Sequence, residues 1–290
     1  MGTPTASKEV SGGGSKSLGS RVVSIKKKNL HPKTELWHSV HVVGPENGSS
    51  FAQMFARAKC SKSKRGVEDA DIVVFTGGCL DIHPELYGIS VQESHNSVYF
   101  ESQACVDLML EWIETYQECM YTGKAMVGVC LGAQFLHVMN GGKLYQDVDS
   151  HQSSHPLYCA TTGATIMNAS SVHHQMCVEN DDMVVLGTAC ESNERWIDRT
   201  NCDLVIDDPR KDDIEAFFYP DTLCLGFQGH PEYSGYDEYT EWCMRQMLDR
   251  LINNGRMALE NSVLKLKGEH LAQRKFKLPD TVQAFIKEYS

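Results

Sequence analysis

The sequence predicts an α/β protein, a three-layer α/β/α sandwich around a mainly parallel sheet. Short β-branched apolar runs, "ADIVVFTGG" and "AMVGV", have the composition of strands buried on both faces. Helix-like stretches stand between and after them. Alternating buried strands and helices imply a sheet covered on both sides. The chain has 290 residues, 41% of them hydrophobic, which suits one large domain with extensions.

Residues 1–33 are dominated by Gly, Ser and Lys and predict a flexible N-terminal tail, with one short strand at Val22 to Ile25. Residues 34–254 carry the domain. "LWHSVHVVG" reads as its first strand, and "SSFAQMFARA" as a helix capped by Ser49 or Ser50. "ESQACVDLMLEWIETYQECM" places Ala104, Leu108, Trp112, Ile113 and Tyr116 in an amphipathic pattern. After the strand "AMVGV" comes the helix "LGAQFLHVM". "ATIMNASSVHHQ", "DMVVLGTA" and "DDIEAFFYP" read as later strands, and "YDEYTEWCMRQMLDRLINN" as a long closing helix. Residues 255–290 form a polar C-terminal extension with helical potential.

The formal charge of −11 disfavours a nucleic-acid partner, because an acidic surface repels phosphates. No apolar run is long enough to suggest a membrane span, and no secretory signal is visible. The 11 cysteines are scattered without a C-x-x-C pair, which predicts reduced thiols and a cytoplasmic setting. The 12 histidines are dispersed and show no ligand spacing, so the sequence predicts no metal and no cofactor.

The chemistry centres on "GVCLG". Its G-x-Nuc-x-G form is that of a sharp strand-to-helix turn which exposes a nucleophile. Cys130 would then sit at a helix N-terminus, where free N–H groups and the helix dipole favour a thiolate. The N–H of Leu131 would point at an oxyanion. Alone, the pentapeptide fits a plain core thiol equally well. A thiolate also needs a base and an orienting group. "FQGHPEYSG" offers both: His230 and Glu232 flank Pro231 and would lie on one side of extended chain.

"GVCLGAQ" followed by "QGHPE" resembles the class I glutamine amidotransferase family, which implies a flavodoxin-like fold and a Cys-His-Glu triad. "FTGGCLDIHPELYG", "GAQFLHVMNGGKLYQDV", "ASSVHHQ" and "DIEAF" resemble its γ-glutamyl hydrolase-like branch, which includes γ-glutamyl-GABA hydrolases. The resemblance implies that Cys130 attacks a γ-glutamyl amide, that His230 moves the proton, and that Glu232 orients the histidine. It implies an oxyanion hole from the N–H groups of Gly78 and Leu131, and substrate contacts from Gln134, Ser171 and Val172. Leu131 stands where the branch has Arg, and Ser170 where it has Asn. Both departures touch substrate choice.

The functions implied are a glutaminase that supplies ammonia to a separate synthetase subunit, a freestanding γ-glutamyl amide hydrolase, or a non-enzymatic scaffold or regulator. The chain shows neither a G-x-x-x-x-G-K-[ST] phosphate loop nor a Ser-Gly-Gly-x-Asp-Ser loop, so a synthetase would be a partner. His173 and His174, adjacent on a strand, cannot face one site. Asp81 and Tyr87 are expected to shape their loop.

Overall fold

The computed structural model describes residues 38–44, 50–55, 57–60, 66–94, 102–192, 194–197, 212–233, 237–255 and 277–290. All belong to the compact unit His31–Ser290. The tail at 1–33, its strand at Val22 to Ile25 and the cap at Ser49 lie outside these residues.

The strands in chain order are β1 (Ser39–Val43), β2 (Arg57–Cys60), β3 (Ile72–Phe75), β4 (Ala125–Val129), β5 (Leu144–Tyr145), β6 (Asp147–Val148), β7 (His155–Cys159), β8 (Thr165–Ala169), β9 (Met176–Cys177), β10 (Val184–Ala189), β11 (Arg195–Trp196), β12 (Asp213–Tyr219) and β13 (Cys224–Phe227). The helices are α1 (Phe51–Met54), α2 (Gln103–Thr122), α3 (Leu131–Met139), α4 (Glu238–Gln246) and α5 (Asp280–Tyr289). Nine strands form one sheet in the order β2-β1-β3-β4-β13-β12-β10-β7-β8. Pairing is parallel from β2 to β13 and antiparallel from β13 to β8. The sheet is thus mixed, and its parallel half carries the predicted motifs. The change of direction follows from the connection. Residues 220–223 alone join β12 to β13, whereas a parallel crossover needs about a dozen residues.

Successive strand residues point into different layers. Val73 and Phe75 pack with Trp112, Tyr116 and Phe135, while Ile72 and Val74 pack with Phe51, Tyr239 and Met244. This alternation builds the three-layer sandwich. Trp112 anchors the first layer, edge-on to Phe75 at 5.4 Å and to Phe135 at 5.1 Å. Such pairs add about 0.5–1.5 kcal/mol to the area they bury.

Three local expectations change. "SSFAQMFARA" yields only the short α1, without a side-chain cap at Ser50, and then β2 pairs parallel with β1. "ATIMNASSVHHQ" is a strand only to Ala169. It then crosses the site without sheet pairing before β9. The closing helix changes to π-helical turns over Met247–Gly255. In the C-terminal extension, α5 buries Val282 and Phe285 in the first layer, and Thr281 Oγ1 donates to Leu86 O at 2.7 Å. The helix therefore clamps the 3₁₀ turn Pro84–Tyr87 of the "GGCLDIHPELYG" loop.

The tightest approach in the parallel half is between α3 and β3. A Cβ on Gly132 would stand 2.1 Å from the carbonyl oxygen of Phe75, and one on Gly128 would stand 2.4 Å from Gly132 O. Gly132→Ala should destabilise the protein by about 3 kcal/mol, because backbone must move. Gly141→Ala, at φ +79° with open space around its Cβ, should cost only about 1 kcal/mol of backbone strain. Chemical denaturation of the two variants checks this order.

Candidate active site

β4 ends in Cys130, whose backbone takes φ 49° and ψ −110° before α3 begins. Few side-chain-bearing residues adopt positive φ, so the turn is strained. Surrounding bonds hold it there. Cys130 N donates to Phe227 O at 2.7 Å, Gly132 N to Thr76 O at 3.1 Å, and Gln134 N to Cys130 O at 3.1 Å. The turn presents the thiol at the N-terminus of α3, and its Sγ lies 3.9 Å from Val172 O. Cys130 is 6% exposed. Cys105 and Cys224, by contrast, are sealed in the core. Burial pushes Cys105 up to about 12 and Cys224 up to about 11, where they are poor nucleophiles.

His230 and Glu232 reach this thiol from the loop after β13. His230 Nδ1 lies 2.8 Å from Glu232 Oε1, with both side chains buried. The segment is a turn rather than extended chain, since Tyr233 N donates to His230 O at 3.2 Å. The turn still brings the carboxylate onto the ring. Thr240 Oγ1 donates to Pro231 O at 2.7 Å, and α4 is capped where Thr240 N donates to Asp237 Oδ1 at 2.8 Å. The loop that carries His230 and Glu232 is thus tied to a helix start. Burial alone would lower the pKa of His230. Hydrogen bonds to the Cys130 thiol and to Glu232 outweigh it and push the imidazole up to about 10.

Two residues place this imidazole beyond those the motifs indicated. Ser170, in the sequence merely a departure from the branch pattern, accepts from His230 N at 3.0 Å and donates to His230 O at 2.8 Å. Gly77 lies against the ring, where a Cβ would stand 2.6 Å from His230 Cε1 and 3.5 Å from Cys130 Cβ. The double glycine of "FTGG" was the available signal, although only Gly78 was singled out from it.

The remaining predicted residues lie around this centre. Gly78 follows Gly77 in the loop after β3, and Leu131 is the first residue of α3, whose opening N–H groups have no acceptor within the helix. Gln134 is buried and donates from Nε2 to Gln175 O at 2.8 Å, so its amide braces the wall. Ser171 is buried, and its hydroxyl donates to His151 O at 3.2 Å. Val172 is 59% exposed with its carbonyl beside the thiol.

His173 and His174 face opposite ways, although residues 170–175 are not in a strand. His174 Nε2 lies 2.9 Å from Asp81 Oδ1, and His173 turns inward toward Glu215. Gln175 joins three elements: its Oε1 accepts from Ile82 N, and its carbonyl accepts from Gln134 and Gln228. His151, His173 and Glu215 form a buried group whose ligand atoms lie within 4.8 Å of one another. The sequence reading did not foresee it. A separate cleft of about 420 Å³, lined by Met139, Asp182 and Lys277 among others, opens at the far end of α3 and holds none of these groups.

These features define a class: a three-layer α/β protein with a cysteine on a strand-to-helix turn and a His–Glu pair beside it. Residues 40–232 match the model of the family described as Peptidase C26. The chain belongs to that family, which places it among hydrolytic enzymes and agrees with the class I glutamine amidotransferase resemblance. A sequence comparison with curated proteins returns no match. Among solved structures, it is similar to a glutamine amidotransferase from Thermotoga maritima, at 13% identity and a TM-score of 0.44, covering 87% of this chain and 97% of that one. It is also similar to a glutamine amidotransferase from Methylobacillus flagellatus, at 15% identity and a TM-score of 0.40, covering 72% and 75% of the two chains. Among the described residues no helix is long and apolar enough to cross a membrane.

The raised pKa of His230 sets a pH dependence. The folded protein keeps a proton that the unfolded chain, with a histidine near 6.5, releases. This contribution is complete below about pH 6.5 and fades as pH rises toward 10. The stability difference between wild type and His230→Gln should be largest near pH 6 and shrink steadily up to about pH 10, as read by denaturant unfolding across that range.

Proposed function

We propose that the protein is a cysteine-dependent glutaminase that hydrolyses the side-chain amide of glutamine and passes ammonia to a separate synthetase. The observation that carries the reading is the Cys130–His230–Glu232 constellation on a strained turn. The Cys130 thiolate attacks the amide carbon, and negative charge develops on the carbonyl oxygen. In this reading the N–H groups of Gly78 and Leu131 receive it. The His230 imidazolium gives its proton to the departing nitrogen, so ammonia leaves and a γ-glutamyl thioester remains. His230 then takes a proton from water, whose oxygen attacks the thioester, and glutamate leaves as the thiol is restored. Glu232 fixes the ring and offsets its charge throughout. Ser171 and Val172 line the place for the amino-acid end, and Gln134 holds the wall behind it.

Exposed Val172 and Tyr233 support the partner half of this reading. Tyr233 is 57% exposed and stacks on His230 at 4.7 Å. Both thus offer apolar surface at the cysteine. The Asp81–His174 contact favours a second reading, a freestanding γ-glutamyl amide hydrolase, because it joins the two motifs that resemble that branch.

Purified protein is to be offered glutamine and a panel of γ-glutamyl amines, with Cys130→Ala as control. Glutamine turnover that is slow until a synthetase is added supports the first reading, and rapid release of another amine supports the second. Glu232→Gln should lower turnover by about 10²–10⁴-fold, the range of general acid–base catalysis. Wild-type protein with neither turnover nor covalent labelling of Cys130 by a glutamine-like electrophile would refute both.

A further inference from the structure

Behind the segment Ser171–Gln175, three imidazoles converge on one carboxylate oxygen. Glu215 Oε1, from the middle of β12, lies 3.2 Å from His151 Nδ1, 3.5 Å from His173 Nε2 and 3.6 Å from His155 Nε2. All four side chains are buried.

The proton inventory of this group does not balance by itself. His173 Nδ1 lies 3.1 Å from Gln175 O, and His155 Nδ1 lies 3.1 Å from Pro156 O. A carbonyl oxygen only accepts, so both Nδ1 atoms carry the hydrogen, and each neutral ring keeps a lone pair on Nε2. Both lone pairs then face a carboxylate oxygen, which also only accepts. With the rings neutral, His155 Nε2, His173 Nε2 and both oxygens of Glu215 have no hydrogen-bond partner among the described residues. Buried polar atoms are rarely left in this state. A proton on His151 answers Asp213 and one side of Glu215 but leaves His155 and His173 unchanged. Protonating all three rings would crowd three cations about one carboxylate. A single cation between His151 Nδ1, His173 Nε2 and Glu215 Oε1 gives each of these three atoms a partner.

We propose that His151, His173 and Glu215 bind a divalent first-row transition ion of the zinc type. Ligand atoms about 3.3 Å apart suit a tetrahedral ion with bonds near 2.0–2.1 Å, and the contacts of His151 and His173 with Glu215, at 3.2 and 3.5 Å, fall close to that spacing. Imidazole nitrogen with one carboxylate favours zinc, iron, nickel or copper over magnesium or calcium. The outer contacts match those of ligating histidines, each of which hands its other N–H to an oxygen. His151 Nε2 lies 3.1 Å from Asp213 Oδ2, and Asp213 is held by Arg195 at 2.9 Å and by the N–H groups of Glu191 and Ser192. All three ligands are buried. The ion fastens the 171–175 segment from behind and does not depend on what Cys130 does.

The full chain, produced in zinc-supplemented medium and freed of loose metal by gel filtration, is to be examined by elemental analysis and X-ray absorption. About one equivalent of metal should remain per chain, in a shell of nitrogen and oxygen only, and chelation should lower the Tm. His173→Ala should bind at least about tenfold more weakly. If that variant fails to fold, cobalt titration of metal-stripped wild type serves instead, and should give the visible bands of a tetrahedral nitrogen–oxygen site. Negligible retained metal together with no cobalt bands would overturn the proposal, as would sulfur ligands, which mark capture by the cysteines.

Discussion

The close contact between the start of α3 and the end of β3 governs the site. Gly132 lets the helix backbone touch the Phe75 carbonyl, and Gly132 N bonds Thr76 O across the same gap. With the helix that near, the chain turns from β4 through a positive φ at Cys130. Strain of this kind costs about 1–3 kcal/mol. It persists because all nine residues of α3 are buried, and letting the turn relax would pull them out of the core. The thiol therefore cannot retreat into the packed interior as its neighbours do.

Three adjacent parallel strands then deliver the other parts. β3 ends in Gly77 and Gly78, β4 in Cys130, and β13 in the run Gln228–Glu232, all at the carboxyl edge where open α/β sheets bind ligands. Their loops are joined to each other as well as to the sheet. Gln175 ties the β3 loop, α3 and the end of β13 through its own amide and carbonyl, and Ser170 holds the backbone of His230 by both polar groups. Neither residue need touch a substrate for the imidazole to depend on it.

The legible parts of the sequence are those where local chemistry allows one outcome. Glycines about a cysteine, a proline between a histidine and a glutamate, and β-branched runs stopped by glycine each demand a particular backbone. β2 escaped notice because Arg-Ala-Lys-Cys favours helix intrinsically, and its pairing with β1 overrides that preference. Basic residues also suit an edge strand, which must resist further pairing. The antiparallel half is written in the short 220–223 link, not in the composition of the strands it joins. The His151–His173–Glu215 group was hidden for a different reason. Its members are separated by 22 and 42 positions, and only the crossing of β12 beneath the 171–175 segment brings them together.

That crossing explains why a polar core stands where apolar packing would be simpler. Residues 170–175 run past the thiol without sheet partners, so no ladder fixes their register. Apolar side chains beneath them would tolerate sliding, because dispersion has little directional preference. Directional contacts do not. His173 is drawn inward to Glu215 and His174 outward to Asp81, while Gln152 Nε2 donates to His173 O at 3.2 Å and His173 N donates to His151 O at 3.0 Å. With its successors held from opposite sides, Val172 has one orientation left, side chain to solvent and carbonyl to Cys130. A shift of one residue would turn His173 outward or His174 inward and leave one of the two carboxylates beside Val172 or Gln175. The buried charges thus fix where the segment sits, and that position sets which groups face the thiol.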